Sequence, residues 1–383
     1  MVRVCHMTSV HTRYDIRIFQ KECVSLAEAG FEVYLVVNDT YADEIKGGVY
    51  IRSTSYQAKS RMDRMLHAAR KVYKTALQID ADIYHFHDPE LLPYGYQLKK
   101  KGYKVIFDSH EFIWKQMECR DYLPKAFRKT SSWIYRKCEA YVVGKIDAVV
   151  VPCTYDGTSY FGDKCKREVL VNNYPRFEEL DKEGLDKEEV HFRDRKRQAC
   201  YIGGLTVQRG AVVMAKASVQ SGIPLVLAGK FSSDALEKEV LGSSSDILYK
   251  GNLQRPGVKK LLGESFMGIC VLQDEGQYRH LDNLPTKVYE YMGAGMPVII
   301  SDFPYYKKIM QRYHCGRCVC PDDEGDVAAH MEWLLSHPEE AEEMGRNGRR
   351  AIVQRFNWKK EEKKLLGLYN ELFQEIQQEL CRD

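Results

Sequence analysis

Hydrophobic and polar positions follow the same order in two distant parts of the chain. In residues 3–37, a short apolar run precedes a polar loop, apolar residues at helical spacing, Gly30 and a second apolar run. Residues 198–229 repeat this order, with Gly222 in the place of Gly30. Strand, helix and strand in succession are typical of parallel α/β sheets. Two such openings predict two similar α/β domains rather than one long sheet.

Further apolar runs predict the other strands, at residues 82–88, 103–111, 147–152, 224–229, 247–251, 267–273, 297–302 and 317–321. Between the two halves, 15 of the 25 residues from 174 to 198 are charged, which is typical of a linker. After Trp358, apolar residues recur at helical spacing and predict an amphipathic helix across both domains. Its apolar stripe is Leu365, Tyr369, Leu372, Ile376 and Leu380.

The 383 residues exceed the usual size of a single core, so the chain is expected to form more than one domain. The patterns above give the domain boundaries. We predict an N-terminal domain at 1–173, a charged linker at 174–198 and a C-terminal domain at 199–356. The helix at 357–383 is expected to cross back to the N-terminal domain.

The composition narrows the class of protein. A hydrophobic content of 44% and a charged content of 29% are typical of a globular protein. No run is long enough to span a membrane, and the first residues lack the apolar core of a signal peptide, so we expect a cytoplasmic protein. The twelve cysteines lack the spacing of a disulfide framework. Cys315 and Cys318 have no second pair to complete a zinc site, which favours thiols that fill a strand.

Charge is distributed unevenly along the chain. The net charge of +3 is too small to indicate nucleic-acid binding. Residues 1–172, however, contain 27 Lys and Arg against 21 Asp and Glu. The basic segments 59–74 and 115–137 also carry aromatic or apolar residues, a pattern that suits either anionic lipid or a solvated helix face. We favour contact with the inner face of the cell membrane.

Polar residues that directly follow predicted strands are candidates for a site, because ligands bind beyond the carboxyl ends of parallel strands. The alternative is that each residue caps a loop or a helix. In the first half, these residues are His11, Arg13, Asp15 and Arg17, then His87, Asp88 and Glu90, then Asp108, Ser109, His110 and Glu111.

The second half offers a matching set. Gly203, Gly204 and Gly210 let the backbone approach a ligand, and Arg209 lies in the same loop. Standard nucleotide and protease motifs are absent, including the P-loop, HExxH and GxSxG.

A short helix predicted after Asn283 adds Lys287 and Glu290 to this set. We expect Asn283 to cap the helix and Gly295 to end it. Arg209 and Lys287 suit a diphosphate, and the acceptor-only carboxylate of Glu290 suits ribose hydroxyls. The alternative is a surface ion pair between Lys287 and Glu290.

Taken in order, these motifs resemble the retaining glycosyltransferases of the GT-B fold, family 4, particularly those of bacterial surface or capsular polysaccharide synthesis. The resemblance rests on residues 6–30, 84–93, 107–111 and 201–210, and most specifically on 283–302. It implies two Rossmann-like, doubly wound domains that face each other across a cleft. A nucleoside-diphosphate sugar, expected to be UDP-linked, would lie on the C-terminal domain.

The resemblance also implies roles for individual residues. Asp282 stands where the family has a glutamate, and Gly204 stands where many relatives have an arginine. No cofactor or metal is expected, because cationic residues and a helix start would stabilise the leaving diphosphate. The implied catalytic residues are His110 and Asp282; the donor-binding residues are Gly203, Gly204, Arg209, Asn283, Thr286, Lys287 and Glu290; the acceptor-binding residues are His11, Arg13, Asp15, Arg17, His87, Asp88 and Glu111.

The activity that the resemblance implies is transfer of a hexose or N-acetylhexosamine, with retention, to a glycan or a polyprenyl-diphosphate-linked acceptor. Two alternatives stay open at this point. One is a nucleotide-sugar epimerase of the same fold. The other is a catalytically degenerate scaffold subunit, which would account for the departures from the family pattern at Asp282 and Gly204.

Overall fold

The chain forms two compact units, each with its own parallel sheet. The computed structural model describes residues 2–110, 112–119, 125–176 and 192–381. The first unit consists of residues 1–173 and 358–383, and the second consists of residues 174–357. The predicted two-domain α/β class is confirmed by this arrangement.

The first unit contains an eight-stranded sheet in the order β3-β4-β2-β1-β5-β6-β7-β8. Every pair is parallel except β3 with β4. Strands β1, β5, β6 and β7 are buried along almost their whole length, as apolar strands covered on both faces must be. The strands are β1 (Arg3–Thr8), β2 (Glu32–Val37), β3 (Glu44–Lys46), β4 (Val49–Ser53), β5 (Ile83–Phe86), β6 (Lys104–Asp108), β7 (Ala148–Val151) and β8 (Glu168–Leu170).

Within the described part of the first unit, five helices precede the second unit. The first two contain stretches of π-helix, at Ile16–Cys23 and Arg64–Ala68. Gly30 follows the first of them with φ of 92°, a left-handed conformation that glycine adopts without strain. The helices are α1 (Ile16–Cys23 and Val24–Glu28), α2 (Arg61–Asp63, Arg64–Ala68 and Ala69–Leu77), α3 (Leu92–Lys100), α4 (Ile113–Cys119) and α5 (Lys125–Val143).

The second unit contains a six-stranded parallel sheet in the order β11-β10-β9-β12-β13-β14. Strand β9 begins at Lys196, so the end of the segment predicted as a linker, 174–198, belongs to the sheet. Residues 177–191 of that segment lie outside the described residues. The strands are β9 (Lys196–Ile202), β10 (Leu225–Ala228), β11 (Ile247–Tyr249), β12 (Ser265–Cys270), β13 (Val298–Ser301) and β14 (Gly316–Val319).

Seven described helices surround the second sheet. The predicted short helix is α9, and Gly295 ends it with φ of 66°. None of the helices in the described ranges is long and apolar enough to cross a bilayer. The helices are α6 (Ala211–Ser221), α7 (Asp234–Leu241), α8 (Arg255–Glu264), α9 (Thr286–Gly293), α10 (Pro304–Tyr313), α11 (Glu324–Ser336) and α12 (Pro338–Gln354).

The last helix, α13 (Trp358–Leu380), packs within the first unit. Leu365, Tyr369 and Leu372 are fully buried in an apolar cluster with residues of β1, β2 and α1. Ile376 is partly buried and packs against this cluster, whereas Leu380 is 73% exposed. The predicted apolar stripe is therefore wrong at Leu380.

Candidate functional site

Both sheets reverse their strand order at one point, between β1 and β5 and between β9 and β12. In doubly wound sheets, ligands bind beyond the carboxyl ends of the strands at such a point. The candidates His11, Asp15, His87 and Asp88 follow the first pair of strands, and Gly203, Gly204 and Arg209 follow β9. The sequence-predicted residues therefore lie at the expected end of each sheet.

The loop after β9 lies close beside two cationic side chains. Gly203 has φ of 122°, and a Cβ on it would lie 3.1 Å from Nζ of Lys287. A Cβ on Gly204 would lie 2.9 Å from Nη1 of Arg209. The glycines thus keep open the space into which both cations project. The presence of glycine at position 204 is explained by this contact, because a side chain there would displace Arg209.

Tyr201 fixes the position of Lys287. The Lys287 ammonium donates to the Tyr201 hydroxyl at 2.6 Å and lies 3.9 Å from the centre of its ring. That hydroxyl in turn donates to the Gly204 carbonyl at 2.9 Å. Burial, reinforced by the charge of Arg209, lowers the pKa of Lys287 to about 8. Among its described contacts, Lys287 forms no ion pair with a carboxylate. A bound anion would therefore offset the cost of burying the ammonium charge.

Backbone geometry holds Arg209 in the loop. A single turn at Val207–Arg209 begins where the Thr206 hydroxyl accepts from the Arg209 amide, and Gly210 ends it with φ of 75°. A Cβ on Gly210 would lie only 2.0 Å from the carbonyl oxygen of Val271, which follows β12. Arg209 therefore stands on a tightly packed junction of two loops.

The start of α9 differs from the predicted one. Pro285, not Asn283, occupies the capping position, and no side chain caps the helix. Asn283 instead accepts a hydrogen bond from the Tyr289 hydroxyl, which fixes the preceding turn. Thr286 is exposed in the first turn. The helix start remains available to an anion because no side chain occupies the capping role.

Glu290 has a partner that the sequence pattern did not reveal. Its carboxylate binds the guanidinium of Arg255, the first residue of α8. The predicted alternative, an ion pair between Glu290 and Lys287, is wrong because Lys287 turns towards Tyr201. Asp282 lies half-buried in the turn before α9.

In the first unit, Asp88 anchors the loop that follows β1. One oxygen of its carboxylate accepts from the Thr8 hydroxyl at 2.8 Å and from the Ser9 amide at 2.6 Å. The loop then places His11 between two carboxylates, 3.1 Å from Asp15 and 3.6 Å from Asp88. Although partial burial opposes the charge, Asp15 and Asp88 raise the pKa of His11.

Arg13 and Arg17 point inward rather than into solvent. Arg13 binds both oxygens of Asp39 at 2.9 Å and also contacts Glu44 at 2.8 Å. Arg17 is buried and binds both oxygens of Asp108, at 2.8 and 2.9 Å. Both side chains are thereby engaged within the unit, so the structure does not place them as free acceptor-binding groups.

Asp108 lies next to two further candidates of the first unit, His87 and His110. One of its oxygens lies 2.9 Å from Nε2 of His110 and 3.2 Å from Nδ1 of His87. Burial alone would raise the pKa of Asp108, but the Arg17 guanidinium outweighs it and holds that pKa well below its usual range. His110 is partly exposed and its ring lies 4.7 Å from that of His11. Glu111 lies outside the described residues.

Two family models match the chain, one on each half. Glycosyltransferase Family 4 matches residues 21–159, and Glycosyl transferases group 1 matches residues 183–351. The chain is a GT-B glycosyltransferase. No curated protein matches it.

Solved structures share the fold of the glycosyltransferase at low identity. Sucrose-phosphate synthase from Thermosynechococcus elongatus is 15% identical, with a TM-score of 0.73 over 97% of this chain and 99% of that one. A Rickettsia africae glycosyltransferase is 14% identical, with a TM-score of 0.67 over 97% and 98%. Anabaena HepE, in complex with UDP and glucose, is 10% identical, with a TM-score of 0.67 over 97% and 100%.

Three residues organise the candidate sites of the two units; sequence reasoning missed two of them, Tyr201 and Arg255, and named the third, Asp108, without its partners. Tyr201 holds Lys287, Arg255 holds Glu290, and Asp108 holds both His87 and His110. Asp108 carried a signal, because it directly follows an apolar strand. Tyr201 and Arg255 carried none, because their partners lie 86 and 35 residues away.

Two groups of described side chains in the transferase are close enough to share a metal ion. One consists of His87, Asp108 and His110, and the other of His6, Glu22, His85 and His87. Both lie in the first unit. In the second unit, Cys315 packs its sulfur 3.7 Å from that of Met310, as an apolar thiol does.

Proposed function

We propose that the transferase takes a UDP-linked sugar as donor and that the second unit binds its diphosphate. The pair formed by Arg209 and Lys287, beside the open backbone of Gly203 and Gly204, carries this proposal. Two cations and a helix start meet there, and Lys287 has a lowered pKa that an anion would restore. UDP is the nucleotide in the HepE structures that share the fold.

The rest of the donor site follows from the same geometry. Glu290, oriented by Arg255, would accept hydrogen bonds from the ribose hydroxyls. Cations beside the diphosphate would stabilise the negative charge that develops as the sugar leaves, without a metal. His110 and Asp282 would act near the transferred hexose or N-acetylhexosamine, and the reaction would retain the anomeric configuration.

We place the acceptor with the first unit. His11 and Asp15 are half-buried at the end of its sheet, and the buried Asp88 lies 3.6 Å from His11. On α2 and α5, exposed apolar residues accompany the basic residues, including Met62, Leu66, Phe127 and Trp133. Such faces can rest on anionic lipid, which suits a polyprenyl-diphosphate-linked acceptor in surface polysaccharide synthesis at the inner membrane face.

Calorimetric titration with UDP, GDP, ADP and dTDP tests the donor site. We expect micromolar binding of UDP by the wild-type chain and a large loss in Lys287→Met, which removes the charge but keeps much of the side-chain volume. Lys216→Met is the matched control, since Lys216 lies on α6 and pairs with Glu324 at the start of α11. Absence of binding to every nucleotide by the folded protein would contradict the proposal and favour a scaffold role.

Turnover distinguishes the transferase from an epimerase. A UDP-sugar offered with membrane lipid extract should release UDP only when acceptor is present. Conversion of the donor to its epimer without an acceptor would contradict the transferase proposal. Detection of the anomeric configuration in the product by NMR tests retention.

A further inference from the structure

Three side chains at the end of the first sheet converge on one point. Nδ1 of His87 lies 3.1 Å from Nε2 of His110, and the two nitrogens lie 3.2 and 2.9 Å from the same oxygen of Asp108. His87 and Asp108 are buried, whereas the side chain of His110 is 16% exposed. The three atoms therefore form a nearly equilateral triangle with one corner at the surface.

Hydrogen bonds cannot account for all three sides of this triangle. An ionised carboxylate only accepts, and Arg17 keeps Asp108 ionised by donating to both of its oxygens. If the His87 and His110 nitrogens both carry a proton, two donors face each other across the 3.1 Å side. If only one carries a proton, the other nitrogen turns a lone pair towards the Asp108 oxygen. Every arrangement of protons thus leaves one contact unfavourable, which is costly in a buried site.

A metal ion beside the triangle satisfies all three atoms, because each of them then directs a lone pair at the ion. Two imidazole nitrogens and one carboxylate oxygen are typical ligands of zinc and of other divalent metals of the first transition row. With metal–ligand bonds of about 2.05 Å, sides of 2.9 to 3.2 Å correspond to angles of roughly 90° to 100° at the metal. The triangle therefore has the size of three ligands on one face of an ion.

The side chains around the triangle hold its two buried corners in place. A histidine that binds a metal normally donates its other N–H to a neighbouring group, which orients the ring. With Nδ1 of His87 on the ion, the proton is on Nε2, and Nδ1 of His6 lies 2.9 Å from that atom. Arg17 orients the carboxylate of Asp108. The oxygen that accepts from Arg17 Nε has a second lone pair for the ion.

The charges near His110 also favour a cation. His11, whose ring centre lies 4.7 Å from that of His110, is 3.1 Å from Asp15 and 3.6 Å from Asp88. Asp108 adds a third carboxylate, and its guanidinium partner offsets one of the three negative charges. Buried charges are normally paired or bound to a metal, and a divalent ion would neutralise the remaining two.

The neighbouring group of possible ligands has a different geometry. His6, Glu22, His85 and His87 have ligand atoms within 4.8 Å of one another. The rings of His6 and His87 are, however, nearly coplanar, with centres 5.1 Å apart and nitrogens 2.9 Å apart. These two nitrogens point at each other, as in a direct hydrogen bond, and not at a common third point. We assign no ion to this group.

We propose that His87, Asp108 and His110 bind one divalent metal ion, for which Zn²⁺ suits the ligand set, and that its open positions take oxygen ligands at the surface of the first unit. A hydroxyl of the acceptor is such a ligand, and the ion orients and polarises it. This role at the acceptor rests on the proposed function, whereas the binding of the ion does not. The diphosphate site proposed on the second unit involves other residues.

Metal titration of the full chain tests the site. Protein that carries no polyhistidine tag and has been stripped with EDTA should bind one Zn²⁺ with a Kd tighter than about 10 μM in calorimetry. His110→Gln should weaken this binding at least about tenfold, because it removes one ligand. His330→Gln is the matched control, since His330 lies 3.3 Å from the carboxylate of Asp326 in the second unit. Weaker binding by the wild type, or equal losses in both variants, would overturn the proposal.

X-ray absorption of the wild-type chain with one equivalent of Zn²⁺ gives a test that needs no variant to fold. The proposal requires a shell of nitrogen and oxygen at about 2.0–2.1 Å with the scattering pattern of two imidazoles. A sulfur shell at about 2.3 Å would place the ion on cysteines and overturn the assignment.

Turnover tests the role of the ion at the acceptor. Removal of the ion with EDTA should lower kcat at least about tenfold and leave the affinity for UDP within about threefold, and stoichiometric Zn²⁺ should restore kcat. Unchanged turnover would overturn this role. Because Zn²⁺ and UDP are titrated separately, a failure to bind UDP would remove the proposed function and leave the metal site to the Zn²⁺ titration.

Discussion

Raising the pH from 7 to 9 should weaken the binding of UDP, because Lys287 loses its proton in the free protein. Its pKa of about 8 means that about nine-tenths of the side chains are charged at pH 7 and about one-tenth at pH 9. A diphosphate about 4 Å away contributes about 4 kcal/mol at an effective dielectric constant of 20, or roughly three pKa units. Lys287 in the complex is therefore charged throughout this range.

The size of the effect follows from these two pKa values. A group that is protonated in the complex but only one-tenth protonated in the free protein must bind a proton with the ligand. The association constant should fall about tenfold between pH 7 and pH 9, which corresponds to about 1.4 kcal/mol. Proton uptake per UDP should rise from about 0.1 at pH 7 to about 0.9 at pH 9.

Calorimetry in two buffers with different ionisation enthalpies measures both quantities. Lys287→Arg is the matched control, because its guanidinium stays charged at pH 9 while the nucleotide titrates in the same way. We expect a nearly flat profile for this variant, and weak, flat binding for Lys287→Met. An equal fall in affinity for the wild type and Lys287→Arg, or no proton uptake at pH 9, would refute the reasoning.

Three further predictions concern other features of the chain. Glu290→Gln should weaken UDP binding about 10- to 100-fold, which is the loss expected for hydrogen bonds to a charged group. Calorimetry should show unchanged binding of inorganic diphosphate, whereas equal losses for both ligands would place Glu290 at the phosphates. In thermal unfolding, Gly210→Ala should destabilise the protein more than Gly222→Ala. Both glycines have positive φ, but only at Gly210 would a Cβ collide with a backbone carbonyl. Equal losses of stability would show that the backbone around Gly210 shifts to accommodate the Cβ. Replacing Phe127 and Trp133 together by Ser should reduce sedimentation with anionic phospholipid vesicles at low salt, and unchanged sedimentation would argue against membrane contact through α5.

Most of the strands could be predicted because their signals are local, whereas the short strands β3, β4 and β8 were not predicted. Each apolar run became a strand, and Gly30 and Gly295 ended helices at the predicted places. Local periodicity also placed α13, including the buried Leu365 and Leu372. It erred at Leu380, because the apolar cluster that the helix covers ends before the helix does.

Partners within the site could not be predicted in the same way. Arg13 was interpreted as an acceptor-binding residue, but Asp39 and Glu44 neutralise it from a loop and a strand more than twenty residues away. The predicted cap at Asn283 failed because Pro285 already fixes the backbone at the helix start. Spacing shows which side chains end a strand; it does not show which of them the fold pairs with one another.

The return of α13 to the first unit sets an order of assembly during protein synthesis. The 184 residues of the second unit, 174–357, are made between the two parts of the first. At typical rates of about 5–20 residues per second, this interval lasts on the order of 10 to 40 s. Throughout it, the first sheet lacks the side chains of Leu365 and Leu372, and His6 lacks the hydroxyl of Tyr369. A nascent chain thus exposes an apolar face for many seconds, and chaperones that hold such faces are expected to bind it there.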